Sequence, residues 1–275
     1  MDSLIEQHKN SESRARLSTQ RILYLRAQHG EQVDVEVVAE TGSTNADLMA
    51  RLELLQGPVL RIAEHQTAGR GRAGRVWHSV PGGVLTFSLA WYFPGTSQAL
   101  LGLPLAIGVA IAECLLALGL PVSLKWPNDI LKDKKKLAGV LIETAAARQG
   151  GSWAVIGVGL NLSVPDALET HIGHSVADAP WLAQMDRNQL VAQLLNSLAA
   201  AMEEFRQQGF AAFADRWNRL HAYAQQEVLI LDRGQVVQQG LALGVDAQGC
   251  LLLQTAQGTL PVISGDVSLR AAATP

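Results

Sequence analysis

Between positions 69 and 75 three arginines alternate with small residues, Gly69-Arg70-Gly71-Arg72-Ala73-Gly74-Arg75. Glycines let a backbone come close to a ligand and turn its amides on an anion, and arginine forks match the oxygens of phosphate or carboxylate. The segment reads as a phosphate-binding loop; a solvated basic loop or an RNA-touching arginine-glycine segment has the same composition. It is not a Walker loop, because the GKS or GKT ending is missing. A second cluster, Lys125-Trp126-Pro127-Asn128-Asp129, is followed by Lys132, Lys134, Lys135 and Lys136. A rigid turn carrying Asp129 beside several lysines could organise a nucleotide with Mg²⁺; charge runs at β-turns are also commonly solvated hairpin tips. Lys136 stands apart from that run, because the apolar stretch LAGVLIE follows it directly and would hold its ammonium against the core.

Two further clusters are less charged. Gly157-Val158-Gly159-Leu160-Asn161 puts glycines inside an apolar strand, where they mark either close approach of a ligand or a β-bulge. Asn161 adds a donor and an acceptor. Gly42-Ser43-Thr44-Asn45 reads as a helix cap or as polar side chains that hydrogen-bond a small amide-like ligand. No nucleophile elbow is present, the seven histidines are scattered, and no metal-ligand spacing occurs. Catalysis by this chain would rest on positioning and on electrostatic stabilisation of phosphates.

The elements that must hold these clusters follow from periodicity. LSTQRILYLRA reads as a short amphipathic helix and VDVEVVAE as an alternating strand. A helix capped by Ser43 or Thr44 carries Leu48, Met49, Leu52 and Leu55 and stops at Gly57-Pro58. Strands VLRIAEH and VLTFSLAWY flank the arginine loop. A long apolar helix spans about 101 to 118, and VSLKW leads into the lysine-rich excursion. LAGVLIETA and WAVIGVGLNLS, joined by RQGG, read as a hairpin. An irregular stretch from Val164 to about Asp186 precedes a helix from Gln189 to Gln207, with Leu190, Leu194, Leu198, Met202 and Phe205 on one face, and a second helix within GFAAFADRWNRLHAYA. Beyond Gln226 short strands with DRG, DAQG and AQG turns read as a compact β-barrel of about 50 residues.

The 275 residues suit one large and one small packing unit. With 22 basic against 25 acidic residues the formal charge is -3, which argues against a dedicated nucleic-acid binder. Cys114 and Cys250 are too few for a disulfide framework, so a reducing compartment is expected. The first 16 residues are polar, with no apolar run of signal-peptide length, and are expected to be a disordered tail. The apolar stretch near Leu100 to Leu120 holds Pro104, three glycines and Glu113 and reads as a buried helix rather than a membrane span.

Five blocks, STNADL, AEHQTAGRGRAGRVW, SLKWPNDI, KKLAGVLIE and VIGVGLNL, occur in an order that resembles the biotin protein ligases, from about Leu17 to Arg270. The resemblance implies an α/β catalytic domain related to class II aminoacyl-tRNA synthetases, residues 17–224, with a mixed sheet and helices on one face. An SH3-like β-barrel, residues 225–275, would follow. It implies a two-stage reaction: biotin and ATP give biotinyl-5'-AMP and pyrophosphate, and a lysine of a biotin carboxyl carrier protein then takes the biotinyl group. Lys136 and Arg72 would be the catalytic residues. Ser43, Thr44, Asn45 and Gln66 would belong to the biotin pocket, and Gly69, Arg70, Gly71, Arg72 and Arg75 to the loop over the adenylate. Trp77, Lys125, Asn128, Gly139, Gly157, Gly159, Asn161 and Arg270 would complete the binding set, with Asp129 near Mg²⁺.

Two departures accompany the resemblance. Ala73 stands where a further basic residue is common, which implies looser retention of the adenylate. Some members also carry an N-terminal helix-turn-helix domain, for which the residues ahead of the first strand leave no room, so operator repression is not expected. The implied setting is cytoplasmic, without a membrane, and homodimers occur among members. A lipoate ligase or octanoyltransferase is the nearest enzymatic rival; a non-enzymatic biotin sensor or an RNA-binding protein is the rival of another class.

Overall fold

The computed structural model describes residues 16–148, 150–165, 169, 175–232, 234–264 and 267–271. The tail expected over residues 1–16 lies, up to residue 15, outside them, as does much of the irregular stretch after Val164.

Seven strands form a mixed sheet: β1 (Asp34–Thr41), β2 (Val59–Gln66), β3 (Val84–Phe93), β4 (Ser123–Lys125), β5 (Asp129–Lys132), β6 (Lys135–Ala146) and β7 (Ser152–Asn161), in the order β1-β2-β3-β7-β6-β5-β4. Among the described residues β1 and β2 alone pair in parallel, with a helix crossing between them, and the other pairs are antiparallel. The expected hairpin of β6 and β7 is present. The lysine-rich excursion is a two-residue turn, with Asp133 and Lys134 both left-handed (φ 50° and 62°), so Lys135 and Lys136 already belong to β6.

The crossing helix α2 (Thr44–Met49) follows the shorter α1 (Thr19–Leu25). It ends earlier than its apolar spacing predicts: after Ala50 the chain tightens into a 3-10 turn, Leu52–Leu54. Leu48 and Leu52 nevertheless bury against Val59, Ala90, Trp153 and Val155 on one sheet face. Strand residues of the other parity, among them Phe87, Leu89, Ile156 and Val158, face the main core. There α3 (Leu103–Ala117) and α5 (Arg187–Gln208) pack, with α4 (Pro180–Gln184) leading into α5 and α6 (Ala211–Arg219) following it. The apolar helix is therefore the core helix, and among the described residues α2 is the α-helix on the opposite face.

The C-terminal unit corrects an expectation. Strands β8 (Glu227–Asp232), β9 (Gln235–Val245), β10 (Leu251–Thr255), β11 (Gly258–Val262) and β12 (Val267–Ala271) form an open five-stranded sheet in the order β11-β10-β9-β8-β12, not a closed barrel. Register shifts at Ile230/Leu231 and Leu252/Leu253 bend it. Closure would need β11 to pair with β12, and among the described residues each pairs with one neighbour only. Pro261, inside β11, has no N–H for a ladder and suits an edge strand.

Candidate active site

A cleft of about 730 Å³ opens on the α2 side of the large sheet. Its floor is set by register. Ser88 of β3 lies opposite Gly157 of β7, which lies opposite Leu141 of β6; one row along come Thr86, Gly159 and Gly139. Residues that should carry side chains toward the cleft are mostly glycine, and the reason is steric. A Cβ at Gly159 would fall inside the Trp77 indole, one at Gly157 would strike the Asn45 amide, and one at Gly139 would lie 2.9 Å from Lys136 Nζ.

One wall is the start of α2, which sits at the carboxyl end of β1 beside Gln66 at the end of β2. Ser43 caps the helix, its hydroxyl accepting from the Ala46 N–H. Here the hydrogen bonds can be counted. The Thr44 N–H donates to Gln66 Oε1 at 2.7 Å, so the oxygen end of that amide faces Thr44, and Thr44 Oγ1 must donate to the same oxygen at 3.1 Å. At the other end Asn45 Nδ2 donates to Glu143 Oε2 at 2.8 Å, which leaves Asn45 Oδ1 to accept from Ser88 Oγ at 2.5 Å. Each hydroxyl owns one proton. The remaining contact, Thr44 Oγ1 to Ser88 Oγ at 2.6 Å, therefore has no proton of its own. The wall is rich in acceptors and one donor short.

The arginine loop forms the opposite rim. It closes on itself through Gly71 N–H to Arg75 O (2.7 Å) and Trp77 N–H to Gly69 O (2.9 Å), with Ala73 and Gly74 left-handed at the tip (φ 52° and 71°). Arg70 reaches Glu143 Oε2 at 2.9 Å, and Arg72 reaches Asn128 Oδ1 at 3.0 Å, so the loop is fastened at both ends of the cleft. Arg75 lines the cleft from the loop itself. The Trp77 Nε1 is buried without a hydrogen-bond partner among the described residues.

At the far end the turn after β4 brings the lysines together. Asp129 lies between Lys136 Nζ (2.6 Å, to Oδ1) and Lys125 Nζ (3.3 Å, to Oδ2). Burial alone would push the Asp129 carboxyl up; the two ammonium groups outweigh it and hold the carboxyl below its ordinary value. Both oxygens thus face lysines, and among the described residues no three His, Cys, Asp or Glu side chains gather as a metal site. Asn128 is fixed by Val140 O (2.7 Å), and Asn161 Nδ2 by Ala177 O (3.0 Å) and Lys136 O (3.4 Å). Arg270, with Leu269 of β12, lines this end from the C-terminal sheet.

Of the residues assigned by resemblance to binding or catalysis, all except Gly69 line this one cleft, and Gly69 sits at the base of the loop; of the wider clusters, Gly42, Gly74, Lys132 and Leu160 stay outside the lining. Three participants were not singled out. Ser88 is a buried hydroxyl inside an apolar strand, and Glu143 lies two positions beyond Leu141 on the floor face of β6; the spacing from Gly139 was the available clue. Tyr223, whose phenol burial and the Asp129 charge push up, lines the lysine end from a turn with no periodicity.

Comparison with known proteins agrees with this architecture. Residues 36–161 match the biotin/lipoate A/B protein ligase family, and residues 225–270 the biotin protein ligase C terminal domain. The bifunctional ligase/repressor BirA of Escherichia coli is 37% identical over 246 residues, covering 86% of this chain and 74% of that protein. The biotin--[acetyl-CoA-carboxylase] ligase of Mycobacterium tuberculosis is 38% identical over 242 residues, covering 85% and 88%. Among solved structures, the biotin protein ligase of Aquifex aeolicus in complex with biotin and ATP superposes with a TM-score of 0.72 at 28% identity, over 86% of this chain and 99% of that one. With cleft, sheet order and relatives in agreement, this chain is an enzyme of the biotin protein ligase family.

Proposed function

We propose that the cleft activates biotin with MgATP as biotinyl-5'-AMP and passes the biotinyl group to a lysine of a biotin carboxyl carrier protein, in a reducing cytoplasmic setting. The observation that carries the choice of acid is the donor-short wall of Thr44, Ser88 and Asn45. A cyclic urea brings N–H donors and a carbonyl to such a wall and relieves the missing proton. A dithiolane or alkyl chain brings neither and would leave buried polar groups unpaired, which specificity sites penalise strongly.

In the first step a biotin carboxylate oxygen bonds to the α-phosphorus of ATP while the bond to the β-phosphate oxygen breaks, releasing pyrophosphate. Lys136 and Arg72 supply positive charge where the phosphate and carboxylate oxygens meet. Magnesium bound with ATP would offset charge on the phosphates, and Asp129, held between Lys125 and Lys136, is the carboxylate that would lie nearest to it. In the second step the carrier amine bonds to the acyl carbon, the bond to AMP breaks, and the amine proton leaves to solvent. The arginine loop shields the mixed anhydride from water meanwhile.

The test is ATP-dependent pyrophosphate release with biotin, lipoate or octanoate, followed by intact mass of a purified biotin-carrier domain. Release with biotin alone, and one added biotinyl group on the carrier only when ATP is present, is expected. Release with lipoate at an equal rate would defeat the reading. RNA binding that weakens with salt, with no biotin-dependent turnover, would replace it with another class.

A further inference from the structure

Glu143 holds two parts of the site with a single atom. Its Oε2 accepts from Asn45 Nδ2 at 2.8 Å and from Arg70 at 2.9 Å. The first contact decides which end of the Asn45 amide faces Ser88, because a carboxylate accepts and never donates when ionised. The second fastens the arginine loop to the sheet on the side away from the lysines, an interaction made across 73 positions of sequence. Glu143 follows Gly139 and Leu141 on the floor face of β6 but stands outside the lining of the cleft itself, paired across to Val155.

We infer that Glu143 is a positioning residue that couples the loop to the biotin-reading amide: it keeps Asn45 in its acceptor-out orientation and keeps the loop down on the adenylate. This rests on the adenylate reading proposed above. An ionised carboxylate serves both partners at once, and the two roles separate under substitution. In Glu143→Gln the side chain keeps its length and an oxygen for Asn45 but loses the charge that attracts Arg70. In Glu143→Leu the volume stays and both contacts go, leaving Asn45 free to turn its NH₂ toward Ser88, which satisfies the wall without a ligand.

The test measures both roles in the full-length protein. Enzyme-bound adenylate is formed from biotin and α-labelled ATP with pyrophosphatase, its loss is followed after rapid gel filtration, and escape is read as biotin deposited on polylysine. Glu143→Gln should lose adenylate roughly 3- to 10-fold faster, with the KM for biotin moving less than about twofold. Glu143→Leu should show the same faster loss and a KM for biotin raised on the order of 10-fold, while the KM for MgATP moves less than about twofold in both. Wild-type retention in both variants would overturn the inference. So would a parallel rise of both KM values with a fallen melting temperature, the mark of a merely structural residue. If the leucine variant does not fold, the glutamine variant alone decides. Absence of biotin-dependent pyrophosphate release in the wild type would instead strike the adenylate reading on which the inference stands.

Discussion

Lys136 Nζ lies 2.6 Å from Asp129 Oδ1, so the ammonium that reaches into the cleft is anchored by a carboxylate behind it. The Trp77 ring lies beside it, 5.4 Å from the ammonium to the ring centre. The position of the amine is thus fixed before any substrate arrives. Lys136→Ala should lower biotin-dependent pyrophosphate release by about 10²- to 10³-fold, while biotin affinity by calorimetry moves less than about threefold. Unchanged release would remove Lys136 from the reaction.

The glycine floor makes a steric prediction. Gly159→Ala drives a methyl into the Trp77 indole and Gly157→Ala drives one into the Asn45 amide. Overpacking of this kind costs about 1–3 kcal/mol, or roughly 5- to 150-fold in binding if it is expressed at the site. Biotin affinity should fall by that factor in each variant. Binding equal to wild type would mean that neither Trp77 nor Asn45 is held where the floor puts it.

Trp126 joins the two sheets. It is fully buried in the turn between β4 and β5 that carries Asn128, and its Nε1 donates at 3.2 Å to Gly249 O, in the turn between β9 and β10. Trp126→Phe keeps the ring and strands that carbonyl, at a cost of about 1–3 kcal/mol. Thermal unfolding should fall by roughly 2–10 °C, and the KM for ATP should rise more than the KM for biotin. An unaltered melting temperature would show that the bond contributes nothing to the junction.

Acid should act on stability in two windows. His221 is buried with both ring nitrogens unpartnered among the described residues, and burial lowers its pKa from 6.5 to about 4. Between those values the unfolded chain takes up a proton that the folded chain refuses, so stability falls as pH drops from 6.5 toward 4, by an amount on the order of 3 kcal/mol at most. His221→Leu should flatten that fall in urea unfolding at pH 7 and pH 4.5; equal losses in both proteins would defeat it. Asp129 acts lower. Its depressed carboxyl stabilises above the unfolded value of about 3.9 and loses that contribution as pH falls through its folded value. Asp129→Asn should therefore change the profile below about pH 4 and leave the histidine window intact.

Much of this was legible in the chain. Gly157 and Gly159 announced themselves by interrupting an apolar strand, and Lys136 by standing against one, since both follow from period-two alternation. Ser88 was not legible: one hydroxyl in VLTFSLAWY looks like tolerated polarity until register sets it opposite Gly157. Glu143 likewise carries no local signal, because its partners Asn45 and Arg70 arrive from 98 and 73 positions away. The barrel expectation failed for a related reason. Turns and short strands are local, but closure is a pairing of β11 with β12 that no local pattern encodes. Helix α2 ran shorter than its apolar spacing because the chain tightens after Ala50 into the 3-10 turn Leu52–Leu54, and Gly57-Pro58 then returns it to β2.

The glycine strip at Gly139, Gly157 and Gly159 has one more meaning. Trp77, Asn45 and Lys136 lie where the strip's own Cβ atoms would stand. The cover over this part of the sheet is therefore borrowed, from the arginine loop, from α2 and from the start of β6. Three missing side chains act as sockets, and the parts of the site that come from elsewhere in the chain are seated by what the strands leave out.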